Sequence, residues 1–131
     1  MALTADQTLT IQQLVALHGH LVDDLEVDRF GEVFTADIVY DLENLGYGTL
    51  RGADALKAAS ATDRDRVGHL VTNTVVTEGP DGQVRARSKA LGILRDGTAG
   101  SVVYEDLLRL TPDGWRIAHR TIRATRRAAG G

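Results

Sequence analysis

Val67-Gly68-His69-Leu70-Val71-Thr72-Asn73-Thr74-Val75-Val76 is a ten-residue run dominated by valine and threonine. Branching at Cβ restricts χ1 in a helix and suits a pleated surface, so the run predicts a long strand. A period of two puts His69, Val71, Asn73 and Val75 on one face, and Leu70, Thr72, Thr74 and Val76 on the other. The first face carries two hydrogen-bonding side chains, His69 and Asn73, that an apolar core does not require.

Working outward from this strand toward the C-terminus, the pattern predicts an antiparallel meander. Glu78-Gly79-Pro80-Asp81-Gly82 has turn chemistry, and residues 84–94 return as a strand with Arg85, Arg87 and Lys89 facing outward. Leu91 and Ile93 continue that outer face as apolar, which predicts a bulge or a subunit contact there. Asp96-Gly97 marks a hairpin, residues 99–110 a strand, Pro112-Asp113-Gly114 a turn, and residues 115–125 a last strand. In residues 99–110, Tyr104, Asp106 and Leu108 share one face and Glu105, Leu107 and Arg109 the other. On the last strand Trp115, Ile117 and His119 are expected to share a buried face. The basic residues within 120–127 read as a solvated terminus.

Toward the N-terminus the period changes. Thr4-Ala5-Asp6-Gln7 fits a capping box, and Ile11, Leu14, Val15, His18, Leu21, Val22 and Leu25 follow as one helical apolar stripe that includes His18. Asp23 is the acid of the segment 23–28 nearest that stripe. Residues 28–34 suggest a short second helix anchored by Phe30, Val33 and Phe34. Residues 38–42 read as a strand, 43–46 as a turn, 47–50 as a short strand pairing back, and 53–61 as a third helix after Gly52. The polar segment 62–66 leads into the central strand.

The 131 residues fit one domain, 1–131, with 126–131 expected as a disordered tail. With 43% hydrophobic and 25% charged residues and a net charge of -3, the chain reads as an ordinary globular protein with no basic footprint for nucleic acid. The absence of cysteine excludes disulfides and thiolate chemistry and is compatible with a reducing cytosol. No signal-peptide layout and no membrane-spanning run occur, so the expectation is a cytoplasmic protein that does not engage membranes. No metal site is expected, because His18 and His20 lie on different sides of a helix. Phosphate-cradling loops and a Gly-x-Ser-x-Gly elbow are absent.

Three helices followed by a long meander describe an α+β cone, a curved, mainly antiparallel sheet with helices on one face and a small-molecule pocket at its open end. The first helix into Asp28-Arg29-Phe30, the segment Arg51-Gly52-Ala53-Asp54-Ala55-Leu56, the segment Gly68-His69-Leu70-Val71-Thr72-Asn73, and Tyr104-Glu105-Asp106 through Trp115-Arg116-Ile117 carry a closer resemblance. They resemble the SnoaL-like branch of the nuclear-transport-factor-2-like superfamily across nearly the whole chain. That fold hosts dehydratases, isomerases, aldol cyclases, epoxide hydrolases, dioxygenase β subunits and binding proteins, so the resemblance speaks to fold more than to activity. In scytalone dehydratase and its bile-acid relative, an Asp ending the first helix orients a His on the first long strand, and Asp23 and His69 match those places. Ketosteroid isomerase places an acid where Asp106 stands, and its proton-shuttling Asp matches Asp41 only with a one-residue slip. Its helix-one Tyr is His18 here, the Tyr before the dehydratase Asp is Val22, and the second dehydratase His has no equivalent.

These positions imply an imidazole base, since a neutral His titrates near pH 6.5 and a carboxylate can fix its tautomer. The alternative is that His69 bonds a carbonyl while Asp23 caps the helix or faces water. Asp106 is either a protonated donor to an oxyanion or the partner of a neighbouring Arg. His18, Tyr40, Asp41, Asn73, Tyr104 and His119 are candidate substrate-binding residues. The resemblance thus implies a cofactor-free enzyme moving a proton α to a carbonyl on a hydrophobic, polycyclic or polyketide-like molecule. Dehydration is the leading expectation, with isomerisation, aldol cyclisation or a non-catalytic binding or dioxygenase β-type subunit as alternatives. A homodimer through the outer sheet face, or a trimer, is expected.

Overall fold

The computed structural model describes residues 2–125. The proposed disordered tail, 126–131, lies outside the described residues. Helix α1 (Ala5–Asp23) opens with the capping box, Thr4 and Gln7 each accepting from the other's amide. A 3₁₀ turn (Val27–Glu32) follows, then β1 (Phe34–Asp41), a second short 3₁₀ turn (Glu43–Leu45), β2 (Thr49–Arg51) and α2 (Ala53–Thr62). The meander is β3 (Arg66–Glu78), β4 (Val84–Leu94), β5 (Ala99–Thr111) and β6 (Gly114–Ala124).

These strands form one six-stranded sheet in the order β2-β1-β6-β5-β4-β3. Every neighbouring pair is antiparallel except β1 with β6. The sheet stays open, with β2 and β3 as its edges, so the fold is α+β with a curved-sheet topology rather than a closed barrel. α1 packs against β3 and β6, while α2 packs against β1 and β2. Ile11, Val15 and Leu21 of α1 meet Phe30, Val33, Phe34, Ile38 and Ile117 in a core from which water is almost entirely excluded.

The second helix was expected over 28–34, but Phe34 already belongs to β1, because β1 borrows it to pair with Ile117 of β6. Two further departures come from bulges. Between Thr72 and Val75 the β3/β4 register shifts, and Asn73 adopts φ 57°, a left-handed conformation that Asn tolerates better than β-branched neighbours. The shift reverses the strand's phase, so Thr74 and Val76, not Asn73 and Val75, continue the inner face of His69 and Val71; Thr74 Oγ1 lies 3.0 Å from the buried Ser88 Oγ. A second shift, between Arg66 and Gly68, sits opposite Ile93 and Leu94, so the irregularity expected near Leu91 and Ile93 belongs to β3.

In β6 the ladder pairs Leu107 with His119 but Leu108 with Ile117, leaving Ala118 as an extra residue. The bulge turns His119 to the side of Leu107 and brings Arg120 to the inner face opposite Asp106. Arg120 therefore leaves the solvated basic cluster in which it was expected: it is 0% exposed. Its Nε and Nη2 donate to Asp106 Oδ1 and Oδ2 at 2.7 and 2.9 Å, and its guanidinium carbon lies 4.0 Å from the Tyr104 ring centre.

Breaking a buried ion pair from one side leaves an uncompensated charge and costs ~3–5 kcal/mol. Asp106→Ala is accordingly expected to lower the urea midpoint by a loss of that size at unchanged m-value; a loss below ~1 kcal/mol would show that Arg120 does not need Asp106.

Candidate active site

The site begins with a close approach. Gly19 of α1 lies so near β3 that a Cβ there would stand 2.9 Å from the His69 carbonyl oxygen. Asp23 is one helical turn further along the same face, at the last residue of α1. From there its carboxylate grips His69 twice. Oδ2 accepts from the His69 backbone amide at 3.1 Å, and Oδ1 lies 2.7 Å from the ring Nδ1. An ionised carboxylate only accepts, so Nδ1 carries the proton and Nε2 keeps its lone pair. The His69 side chain is 13% exposed and that of Asp23 28%, which places the imidazole inward of the acid that holds it.

His69 lines a cavity of about 620 Å³, within the ~300–1,000 Å³ of ordinary small-molecule sites. Val22, Leu42, Leu50, Leu56, Val102 and Ile122 make its wall largely apolar. His18, Tyr40 and Tyr104 add polar groups to that wall, and the part-exposed ion pair Arg66–Asp63, 2.8 Å apart, adds charge. Burial opposes ionisation of Asp63, but hydrogen bonds from Arg66 and from the Asp65 amide outweigh it and hold the carboxyl below its ordinary range. Burial raises the phenols of Tyr40 and Tyr104, so both are neutral donors at physiological pH. His18 is held well below the ordinary imidazole value, first by burial, then by the positive charge of Arg120 and by His69. Arg120 Nη1 lies 2.9 Å from His18 Nδ1.

Five of the expected site residues are not on the cavity wall: Asp23, which stands behind His69, and four that are engaged elsewhere. Asp106 is fully buried in its bidentate pair with Arg120, the second of the two roles weighed for it, and does not face the cavity as a free acid. Asp41 accepts from the Glu43 amide at 2.9 Å, at the end of β1. Asn73 is exposed in the β3 bulge and accepts from the Thr72 hydroxyl. His119 is carried away from the wall by the β6 bulge. The residue that was missed is Arg120. Two signals pointed to it: Ile122, apolar and two residues on in the same phase, and Asp106, an acid on an inner face that needs a cation. Among the described residues no group of three or more His, Asp or Glu side chains is placed to hold a metal ion.

Comparison with known proteins agrees with this geometry at the level of fold. The SnoaL-like domain family model matches residues 4–121, and the chain belongs to that family. No match is found among curated proteins. A candidate aromatic ring hydroxylase from Novosphingobium aromaticivorans is 25% identical over 95% of this chain and 92% of its own, with a TM-score of 0.79. A variant of Rv3472 from Mycobacterium tuberculosis, of unknown function, is 27% identical over 90% of this chain and 76% of its own, with a TM-score of 0.77. A candidate scytalone dehydratase from N. aromaticivorans is 18% identical over 93% and 89%, with a TM-score of 0.75, a likeness of fold alone. No helix of the described residues is long and apolar enough to cross a membrane.

The close approach at Gly19 gives a test. Ala normally stabilises a helix interior by about 1 kcal/mol over Gly. Gly19→Ala is expected to destabilise instead, and to weaken the His69 Nδ1–H signal in NMR as α1 is pushed off β3. Gly31→Ala, where an added Cβ meets nothing within 4 Å, is the control. A Gly19→Ala variant as stable as the parent, with the Nδ1–H signal intact, would contradict the tight fit.

Proposed function

We propose that the protein is an acid–base enzyme that moves a proton α to a carbonyl on a hydrophobic, polycyclic or polyketide-like small molecule, with elimination of water as its reaction. The observation that carries this reading is the two-point grip of Asp23 on His69 at the wall of an apolar cavity. A side chain held only for packing does not need its tautomer fixed by a carboxylate. Nε2 of His69 removes the proton from the α carbon, and Asp23 stabilises the imidazolium that forms. The electron pair of the broken C–H bond becomes the new C=C bond as the β C–O bond breaks. The hydroxyl leaves as water, taking the proton back from His69. Tyr40 and Tyr104, neutral phenols on the wall, are suited to bind carbonyl or hydroxyl oxygens.

The same proton abstraction opens isomerisation or aldol cyclisation, depending on where the enolate's electrons go next. A plain binding subunit has no use for the Asp23 grip, which is why the catalytic reading is preferred. The proposal includes pairing of two copies through the outer sheet face, where Leu70 and Val75 stand exposed. It places the protein in the cytoplasm.

The test does not need the natural substrate. In deuterated buffer, 2-tetralone, a bicyclic ketone with acidic α hydrogens, is expected to exchange them faster with the protein than without it. His69→Ala is expected to lose ~10²–10⁴-fold of that acceleration. Exchange catalysed equally by His69→Ala would remove His69 from the chemistry.

A further inference from the structure

The cavity holds two imidazoles, and their partners have opposite hydrogen-bonding character. Asp23 only accepts, which puts the proton of neutral His69 on Nδ1. Arg120 only donates, which makes His18 Nδ1 the acceptor and puts the proton of neutral His18 on Nε2. No hydrogen bond to His18 Nε2 is made among the described residues, and Nε2 is not one of their occluded polar atoms left without a partner. Since His18 lines the cavity, its Nε2–H is open to that space.

Building on the proton-transfer reading of His69, we propose that His18 is a second catalytic residue, donating its Nε2–H to the substrate oxygen that becomes anionic as His69 takes the proton. Arg120, clamped by both oxygens of Asp106, is the positioning residue that keeps the donor aimed and in one tautomer.

The surroundings of His18 support this. Phe30 and Phe34 pack ring edges against it at centroid distances of 5.9 and 5.1 Å, and Tyr104 lies at 6.3 Å. Its charged or titratable neighbours are Arg120 on β6, Tyr104 on β5 and His69 on β3, with Asp106 already engaged by Arg120. None of these favours an imidazolium. His18 therefore stays neutral while His69 gains and loses its proton, and a neutral donor fixed before the reaction stabilises an enolate without reorganising. The two residues divide the work: one imidazole offers a lone pair, the other an N–H, and each is fixed by a different charged partner.

The test reads the tautomers directly. Long-range proton–nitrogen NMR on ¹⁵N-labelled free protein is expected to show His18 protonated on Nε2 alone at neutral pH, with neutral His69 protonated on Nδ1. A His18 proton on Nδ1, or an imidazolium at neutral pH, overturns the proposal. Arg120→Met is expected to let His18 mix tautomers and titrate; should that variant not fold, the measurement on the parent protein decides. In the 2-tetralone exchange, His18→Phe is expected to lose ~10²–10³-fold. His18→Gln, which offers Arg120 an acceptor and the cavity an N–H, is expected to lose no more than about tenfold. Undiminished exchange by His18→Phe overturns the donor role. Failure of the His69 reading looks different: His69→Ala would exchange normally while the tautomers of the free protein remained as stated.

Discussion

A guanidinium removed from water must be compensated within reach, and Arg120 is the side chain on which this fold makes that demand. Its two donors facing β5 are satisfied by Asp106, its third direction by His18 Nδ1, and its face by the Tyr104 ring. A helix, two strands and the floor of the cavity are thereby tied to one cation. Pairs of this kind add little net stability compared with apolar packing, since desolvation offsets most of the attraction. Their value lies in orientation, because a planar fork accepts only one arrangement of partners.

The opposite wall is organised by the contact of α1 with β3. Gly19 permits the helix to approach closely enough for Asp23 to span to both the amide and the ring of His69. Two charged anchors, Arg120 and Asp23, thus stand behind two imidazoles, with apolar side chains between. In such a lining, hydrogen bonds act in a lower dielectric than water and are correspondingly stronger. The charged pair Arg66–Asp63 is partly solvated, so the inner surface stays neutral where a hydrophobic ring system would sit.

Local signals were the most legible part of the sequence. The capping box at Thr4, the turn at 79–82 and the span of β4 depend on residues near one another in the chain, and each was placed correctly. The family was legible from spaced motifs. The pairing of Asp23 with His69 followed from that resemblance together with the phase of β3 before its bulge. What the sequence did not disclose was register. A bulge depends on the partner strand, so strict alternation carried through Asn73 and through Ala118 put Asn73 and His119 on the wrong face. The same error hid Arg120, which was read with the basic residues that follow it although β6 turns it inward. Asp106 was left between two roles because the choice depended on whether a cation stood across the ladder.

The most direct test of the account compares two titrations of the same protein. The pH dependence of 2-tetralone exchange gives the midpoint of the group that must be unprotonated for catalysis, and NMR gives the midpoint of His69. Coincidence of the two, with exchange rising as His69 loses its proton, is the predicted result. A rate that rises with a group other than His69, or that is flat across the His69 titration, would contradict the assignment of His69 as the base.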